Sequence, residues 1–236
     1  MTTAKSDAIK EAILLASLAH IPFDGWGEAA LARGADDAGY DSATARRLFP
    51  GGAAEMIALH SHYADRHMLE ELAGLDLDAM KIRDRITLAV RVRLQQNALH
   101  REAVRRAMAR LALPHNAMLA TRLLYRTVDA MWRAAGDTAT DFNYYSKRGL
   151  LSGVYGATLL FWLEDDSENR ADSWAFLDRR IADVMRVPRA MGRLKKLVPD
   201  PQRLLRALGS LRSPRGSLRS GATQAHAERK TAAYRR

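Results

Sequence analysis

The 236-residue chain contains no cysteine. That absence excludes a disulfide framework, a thiolate metal site and catalysis by a thiol. Long apolar runs are also missing: no stretch of 18 uncharged apolar residues occurs, so no conventional membrane-spanning helix is expected. The opening MTTAKSDAIKEAILLASLAH lacks the basic, apolar and small-residue regions of a signal peptide, and a cytoplasmic protein is the resulting expectation. Neither clean period-two alternation nor an Asn-Gly or Asp-Gly hairpin appears, so strands are not expected. P-loop, dinucleotide, nucleophile-elbow and metalloprotease motifs are absent too. Nothing here argues for an enzyme or for a cofactor.

What is present is ordinary in amount and uneven in place. Hydrophobic residues at 47% and charged residues at 27% suit a soluble globular chain with one large or two small domains. Of the 37 Lys/Arg, fourteen lie between Arg186 and Arg236, where Asp200 and Glu228 are the acids, a net of +12. The first 185 residues therefore hold 23 basic and 25 acidic groups. The basicity belongs to the tail, and so does any argument from it.

Helical patterning runs throughout. A first helix is expected from about Ser6 to Ala19, a second from near Gly25, and a short third, SATARRLF, capped by Asp41 or Ser42. A long fourth begins near Ala53 after Phe49-Pro50-Gly51-Gly52. This order resembles the N-terminal module of TetR-type regulators, whose short helix enters the DNA major groove. Charge speaks against that use here. Residues 1–60 carry five basic and eight acidic side chains, the wrong sign for neutralising phosphates, and the short helix offers only Arg46 and Arg47. No DNA partner is expected.

The fourth helix carries His60, His62, His67, Glu70 and Glu71. His67 and Glu71 have ligand spacing, but no second cluster completes a site, so metal is not expected. Asp76 and Asp78 are read as the cap of the next helix, with Met80, Ile82, Ile86, Val90 and Leu94 inward. A basic helix precedes Pro114, and Met118, Leu123, Leu124, Val128, Met131 and Trp132 form a later apolar stripe.

Thr140–Leu163, TDFNYYSKRGLLSGVYGATLLFWL, opens on a cap at Thr140 or Asp141 and ends as one of the most apolar runs in the sequence. Gly149, Gly153 and Gly156 fall at i, i+4 and i+7, a seam for close approach by a backbone or a flat ligand. Central core helix and cavity lining are both open readings, and they are compatible. A further helix, SWAFLDRRIADVM, follows, and Pro188 ends it.

Beyond it two short basic amphipathic helices are expected. Met191, Leu194, Leu197 and Val198 oppose Arg193, Lys195 and Lys196; Leu204, Leu205, Leu208 and Leu211 oppose Arg203, Arg206 and Arg212. Such faces suit an anionic membrane surface, with packing back on the body or into a partner's groove as the alternative. The chain thus divides into a degenerate helix-turn-helix module (1–60), a helical body (61–186), membrane-binding helices (187–212) and a disordered basic tail (213–236).

DFNYYSKRGLLSGVYGATLLFWLEDDS, continued by SWAFLDRRIADVM, resembles the accessory family of ubiquinone (coenzyme Q) biosynthesis that is ninth in the coenzyme Q series. The likeness spans most of residues 5–187. It implies an all-α, TetR-like, dimeric, non-catalytic protein that binds an isoprenoid or phospholipid ligand and supports a di-iron hydroxylase of the ubiquinone pathway. It further implies an amphipathic C-terminal helix at the membrane surface, hence peripheral association with the inner membrane. The family's partner-facing patch falls on Asp141, Tyr144, Tyr145 and Arg148, with Met131 beside it. Members often carry tryptophan where this chain has Tyr144. An aromatic cap packed within a dimer is the alternative for the same residues. The ligand-lining residues expected are Leu151, Val154, Tyr155, Thr158, Phe161 and Trp162, with Trp174 and Leu177 from the next helix. A TetR-type transcriptional regulator with a hydrophobic pocket is the rival, and an adaptor without a pocket is a third reading.

Overall fold

The computed structural model describes residues 3–137 and 142–197, and every regular element among them is a helix. α1 (Thr3–Ser17), α2 (Ile21–Asp24), α3 (Glu28–Asp37) and α4 (Ser42–Leu48) come first. α5 (Gly52–Ala73), α6 (Ile82–Gln95), α7 (Arg101–Leu111), α8 (Ala117–Ala134), α9 (Phe142–Glu164) and α10 (Ala171–Leu197) follow. The described residues up to Pro188 form one compact unit.

In the N-terminal module, α1 and α3 cross so closely that only glycine fits at position 34. A Cβ built there would lie 2.5 Å from the Ser17 backbone nitrogen and 2.6 Å from its Cα. Asp41 caps α4, accepting the Thr44 N–H at 2.7 Å. On the candidate recognition helix, Arg46 forms an exposed ion pair with Glu28 of α3 at 3.1 Å.

Two apolar cores are stacked along α5. The first gathers Ile13, Leu14, Trp26, Leu31, Phe49, Met56 and Ile57 with Ala103, Ala107 and Leu123. The second gathers Met68, Leu72, Ile86, Val90, Val128, Met131, Leu151, Trp162 and Leu177. Each fully buried side chain of this size contributes about 1.5–3 kcal/mol. The expected boundary after residue 60 falls inside α5, which feeds both cores, so the module is packed on the body. Trp26 adds a polar tie, donating its indole N–H to the Ala103 carbonyl of α7 at 2.8 Å.

Three local expectations change. Asp76 accepts from the Ala79 N–H at 3.4 Å, closing a turn ahead of α6; the helix itself starts after Lys81 with no side-chain cap. Ile82 is 56% exposed because it occupies the first, overhanging turn of that helix. α10 continues through Pro188 to Leu197, a position where proline forfeits one backbone hydrogen bond but the amphipathic pattern persists on both sides. Thr140 and Asp141, the expected caps of α9, lie outside the described residues.

The α9–α10 corner is held by Asp165. Burial would raise its carboxyl pKa, but N–H groups of Ser167 and Ser173 (2.8 Å each) and the Ser173 hydroxyl outweigh this and hold it well below the usual carboxylate range.

Candidate functional site: an amphipathic cavity and a buried arginine beneath an aromatic patch

Where α5, α6, α7, α8 and α9 meet, they enclose a cavity of about 340 Å3. Its walls are mainly apolar, with Val104 and Met108 from α7, Leu124 from α8, and Leu159 and Trp162 from α9. One end is polar and is formed by His60, Arg93, Thr127 and Tyr155. The amphipathic lining suits a ligand with an apolar body and an oxygen to offer.

Arg93 organises the polar end. Its Nε donates to Asp65 Oδ1 at 2.9 Å and one terminal nitrogen to the Ser61 carbonyl at 3.4 Å. Thr127 Oγ1 donates to the same Asp65 oxygen at 2.8 Å, whereas Asp65 Oδ2 is buried with no partner among the described residues. Burial, assisted by the positive Arg93 and by His100, pushes His60 down to about 3, so its ring is neutral at physiological pH. Burial likewise pushes the Tyr155 phenol up, keeping it a neutral donor, although nearby Arg93 works in the opposite direction.

Of the expected lining residues, Tyr155 and Trp162 face the cavity. Leu151, Val154, Thr158 and Leu177 are buried away from it, three of them in the second core. Thr158 turns its hydroxyl onto the Val154 carbonyl at 2.7 Å. Phe161 is part-exposed and stacks on Phe176 of α10 with centroids 4.7 Å apart. Trp174 is half-buried; its indole N–H donates to the Asn169 carbonyl at 2.9 Å and Arg91 lies over its ring. The reason is rotational: α9 is packed on several sides, and only the stripe through Tyr155, Gly156, Leu159 and Trp162 points to the cavity. Leu159 was legible as the missing member of that stripe. Arg93, His60 and Thr127 carried no such signal, because three other helices bring them there.

No described residue of this chain fills the glycine seam: a Cβ added at Gly149, Gly153 or Gly156 meets nothing within 4 Å among the described residues. Gly149 and Gly153 are exposed, and only Gly156 borders the cavity.

At the other end of α9 the expected partner patch separates into a buried network and an exposed ring. Arg148 is 2% exposed. It donates from Nε to Asp129 Oδ1 at 2.6 Å and from Nη1 to Asp137 Oδ2 at 3.1 Å, and its guanidinium lies 3.3 Å from the Tyr144 ring centre. Desolvation opposes the charge, but the bonds to Asp129 and Asp137 prevail and raise its pKa. Tyr144 donates to Asp129 at 3.1 Å and accepts from the Tyr125 hydroxyl at 2.9 Å, which pushes the Tyr125 phenol up to about 12. Met131 is fully buried in the second core. Arg148 and Met131 therefore cannot offer their side chains to a partner. Tyr145, 67% exposed, can, and Tyr125 of α8 is exposed near it across Tyr144. Asp141 lies outside the described residues, as do Leu204, Leu205 and Leu208. Met191, Arg193, Leu194, Lys195, Lys196 and Leu197 fall on the helical backbone of α10.

The histidines of α5 go separate ways. His62 contacts Arg126 at 2.8 Å, and His67 sits 3.5 Å from Glu70 and against Tyr63. No group of three or more His, Asp or Glu side chains converges among the described residues. Nor is any described helix long and apolar enough to cross a membrane.

Comparison with known proteins bears on this arrangement. The COQ9 family model matches residues 117–188, which cover α8, α9 and most of α10. The bovine mitochondrial ubiquinone biosynthesis protein COQ9 is 36% identical over 189 residues, covering 76% of this chain and 58% of its own length. The human protein of the same name is 34% identical, with 76% and 58% covered. A Drosophila melanogaster counterpart is 29% identical, with 85% and 62% covered. The chain thus spans under two thirds of the length of these relatives, whose names place those proteins in mitochondria. Among solved structures, a TetR transcriptional regulator from Nitrosomonas europaea superposes with a TM-score of 0.62 at 22% identity, covering 75% of this chain and 98% of the regulator. The fold is TetR-like and all-α.

Proposed function

We propose that this chain, a relative of the COQ9 ubiquinone-biosynthesis proteins, is a non-catalytic lipid-binding accessory protein of that pathway. It takes an isoprenoid quinone precursor at the membrane, holds it in the cavity and presents it to a di-iron hydroxylase. The observation that carries this reading is the cavity itself, apolar along most of its wall and ending at Arg93, Tyr155 and the neutral His60. A ring oxygen of the ligand takes the donors at that end, and the hydrocarbon takes the wall. At about 30 Å3 per water-sized group, 340 Å3 holds on the order of ten carbon-sized groups. That is a ring with one isoprene unit, or two isoprene units, so the rest of a polyprenyl chain leaves through the opening.

Three further parts belong to the same reading. Tyr145 and Tyr125 form the surface that meets the hydroxylase, supported from below by the Arg148 network. Tyr145, Gly149, Gly153 and Leu160 share one exposed face of α9, smooth enough for a second copy in a homodimer. The basic amphipathic segment from Met191 onward holds the protein peripherally at the inner membrane, on its cytoplasmic side. A TetR-type regulator remains the rival on fold alone, and the acidic balance of residues 1–60 disfavours it.

Mass spectrometry of lipid extracted from the purified protein tests the central claim. Isoprenoid lipid is the expected find. A preparation yielding no isoprenoid and no phospholipid overturns it.

A further inference from the structure

The cavity has one exposed margin among the described residues. Of the side chains lining it, only Ala112 and Thr121 are exposed, and both belong to the corner where α7 turns into α8. The corner is apolar at its tip and positive at its edges. Met118 is 74% exposed and Leu113 45%. Met118, Thr121 and Arg122 stand at i, i+3 and i+4 on one face of α8, so the protruding methionine lies one turn from the cavity margin. The corner is fixed from within: the Asn116 side-chain amide donates to the Arg110 carbonyl at 2.8 Å, and the Asn116 N–H to the Leu113 carbonyl at 2.9 Å.

Its charge is also committed to no other group. Arg101 and Arg105 hold the carboxyl end of α9, and Arg106 pairs with Glu102 at 3.0 Å. Arg110 and Arg122, which flank the tip, are exposed and make no ion pair with a described residue. From Arg101 to Arg126 the chain carries six arginines and a single acid, Glu102.

We propose that the α7–α8 corner is a second lipid-contacting surface, a lip that seats on an anionic membrane directly at the mouth of the cavity. Leu113 and Met118 enter the acyl boundary while Arg110 and Arg122 meet headgroup phosphates. The inference rests on the reading that the cavity takes a lipid. It adds that transfer occurs without the hydrocarbon crossing water, because the mouth and the membrane contact are one place. Scattered exposed apolar side chains are normal on a soluble protein. What selects a lipid surface here is the combination of an apolar tip, two uncommitted arginines and the only exposed part of the cavity lining.

The cysteine-free chain makes the test direct, since a single introduced cysteine is the sole labelling site. The full chain carrying Met118→Cys, labelled with an environment-sensitive fluorophore, is mixed with phosphatidylcholine vesicles containing phosphatidylglycerol. A chain labelled at Asp36→Cys on α3 serves as the reference position. The expected result is a blue shift, with quenching by a lipid-borne quencher, at position 118 and not at 36. Adding Arg110→Gln and Arg122→Gln should raise the lipid concentration needed for half of the vesicle-induced shift about thirtyfold, given roughly 1 kcal/mol for each of the two basic groups near anionic lipid. Protein that pellets with vesicles while the label at 118 stays in a polar environment overturns the lip. So does a chain that does not pellet at all. A blue shift that grows with protein concentration and needs no vesicles assigns the corner to a second copy and also overturns it. Recovery of isoprenoid lipid from the purified protein, alongside an unshifted label, leaves the carrier reading standing without the lip.

Discussion

Two buried guanidinium groups, Arg93 and Arg148, share their chemistry and differ in what they leave over. Arg148 meets two carboxylates, the Tyr144 carbonyl and the face of the Tyr144 ring. Its charge is fully spent on clamping α9 to the end of α8. Arg93 meets one carboxylate, and the second oxygen of that Asp65 finds no partner among the described residues. Arg93 also borders the cavity, and Arg148 does not. A closed network is a structural lock. An incomplete one beside an open space keeps polar capacity for a ligand, at a cost of about 1–3 kcal/mol for the unsatisfied group.

The strongest way to break this comparison is to remove the lock. Arg148→Ala removes the cation that Asp129 and Asp137 share, leaving the first to Arg133 and the second to Lys147. A loss of about 4 kcal/mol is expected in chemical denaturation, in the range for breaking a buried pair from one side. A loss below about 1 kcal/mol would mean that the network is dispensable.

Acid tests the open network through its neighbour His60. The folded protein holds His60 at about 3, against 6.5 in the unfolded chain, so the unfolded chain binds the proton more readily. This contribution to stability is therefore full above about pH 6.5 and is lost as pH falls toward 3. The expected loss is about 2 kcal/mol near pH 5 and about 4 kcal/mol near pH 3. In His60→Leu that part of the pH slope should disappear from denaturation curves recorded between those limits; an unchanged slope assigns it elsewhere.

Replacing both members of the open pair sharpens the contrast between stability and binding. Arg93→Met with Asp65→Leu should shift stability by no more than about 1 kcal/mol, because a buried ion pair and its apolar replacement are often near parity. Affinity for a short-chain ubiquinone analogue, measured by calorimetry, should fall about tenfold through loss of a charge-assisted hydrogen bond. Undiminished affinity would remove Arg93 from the ligand site. The smallest structural effect belongs to the exposed ring above the lock. Tyr145→Ser should leave stability within about 0.5 kcal/mol, while binding to the partner hydroxylase weakens more than about fivefold if Tyr145 is an anchor. Equal binding by both forms would take Tyr145 out of the interface.

Helical periodicity made most of the fold legible: the short α4 with its Asp41 cap, the long α5 and the apolar α9 all lie close to where their patterns place them. Charge on residues 1–60 was readable as well, since a sum over a segment needs no coordinates. The site was legible only in part. Tyr155 and Trp162 line the cavity, but a helix apolar on nearly all sides does not reveal which side is empty. The glycines teach the same lesson. Gly149, Gly153 and Gly156 read as a seam for a backbone or a flat ligand, and no described residue of the chain itself packs on it. The glycine required by close packing is Gly34, unremarkable in sequence, because the Ser17 backbone of α1 stands against it.

The Thr140–Leu163 stretch states the division most clearly. Its composition by itself determined that a helix forms there and is largely buried, because apolar side chains at helical spacing have no favourable place in water. The presence of Asp, Tyr and Arg near its start marked a polar junction. Only the tertiary structure decided that Arg148 is a buried lock, that Tyr145 is the exposed ring, and that Arg93 joins Tyr155 at a cavity. Those roles depend on which carboxylate or void lies opposite, and that is set by the packing of helices far apart in the chain.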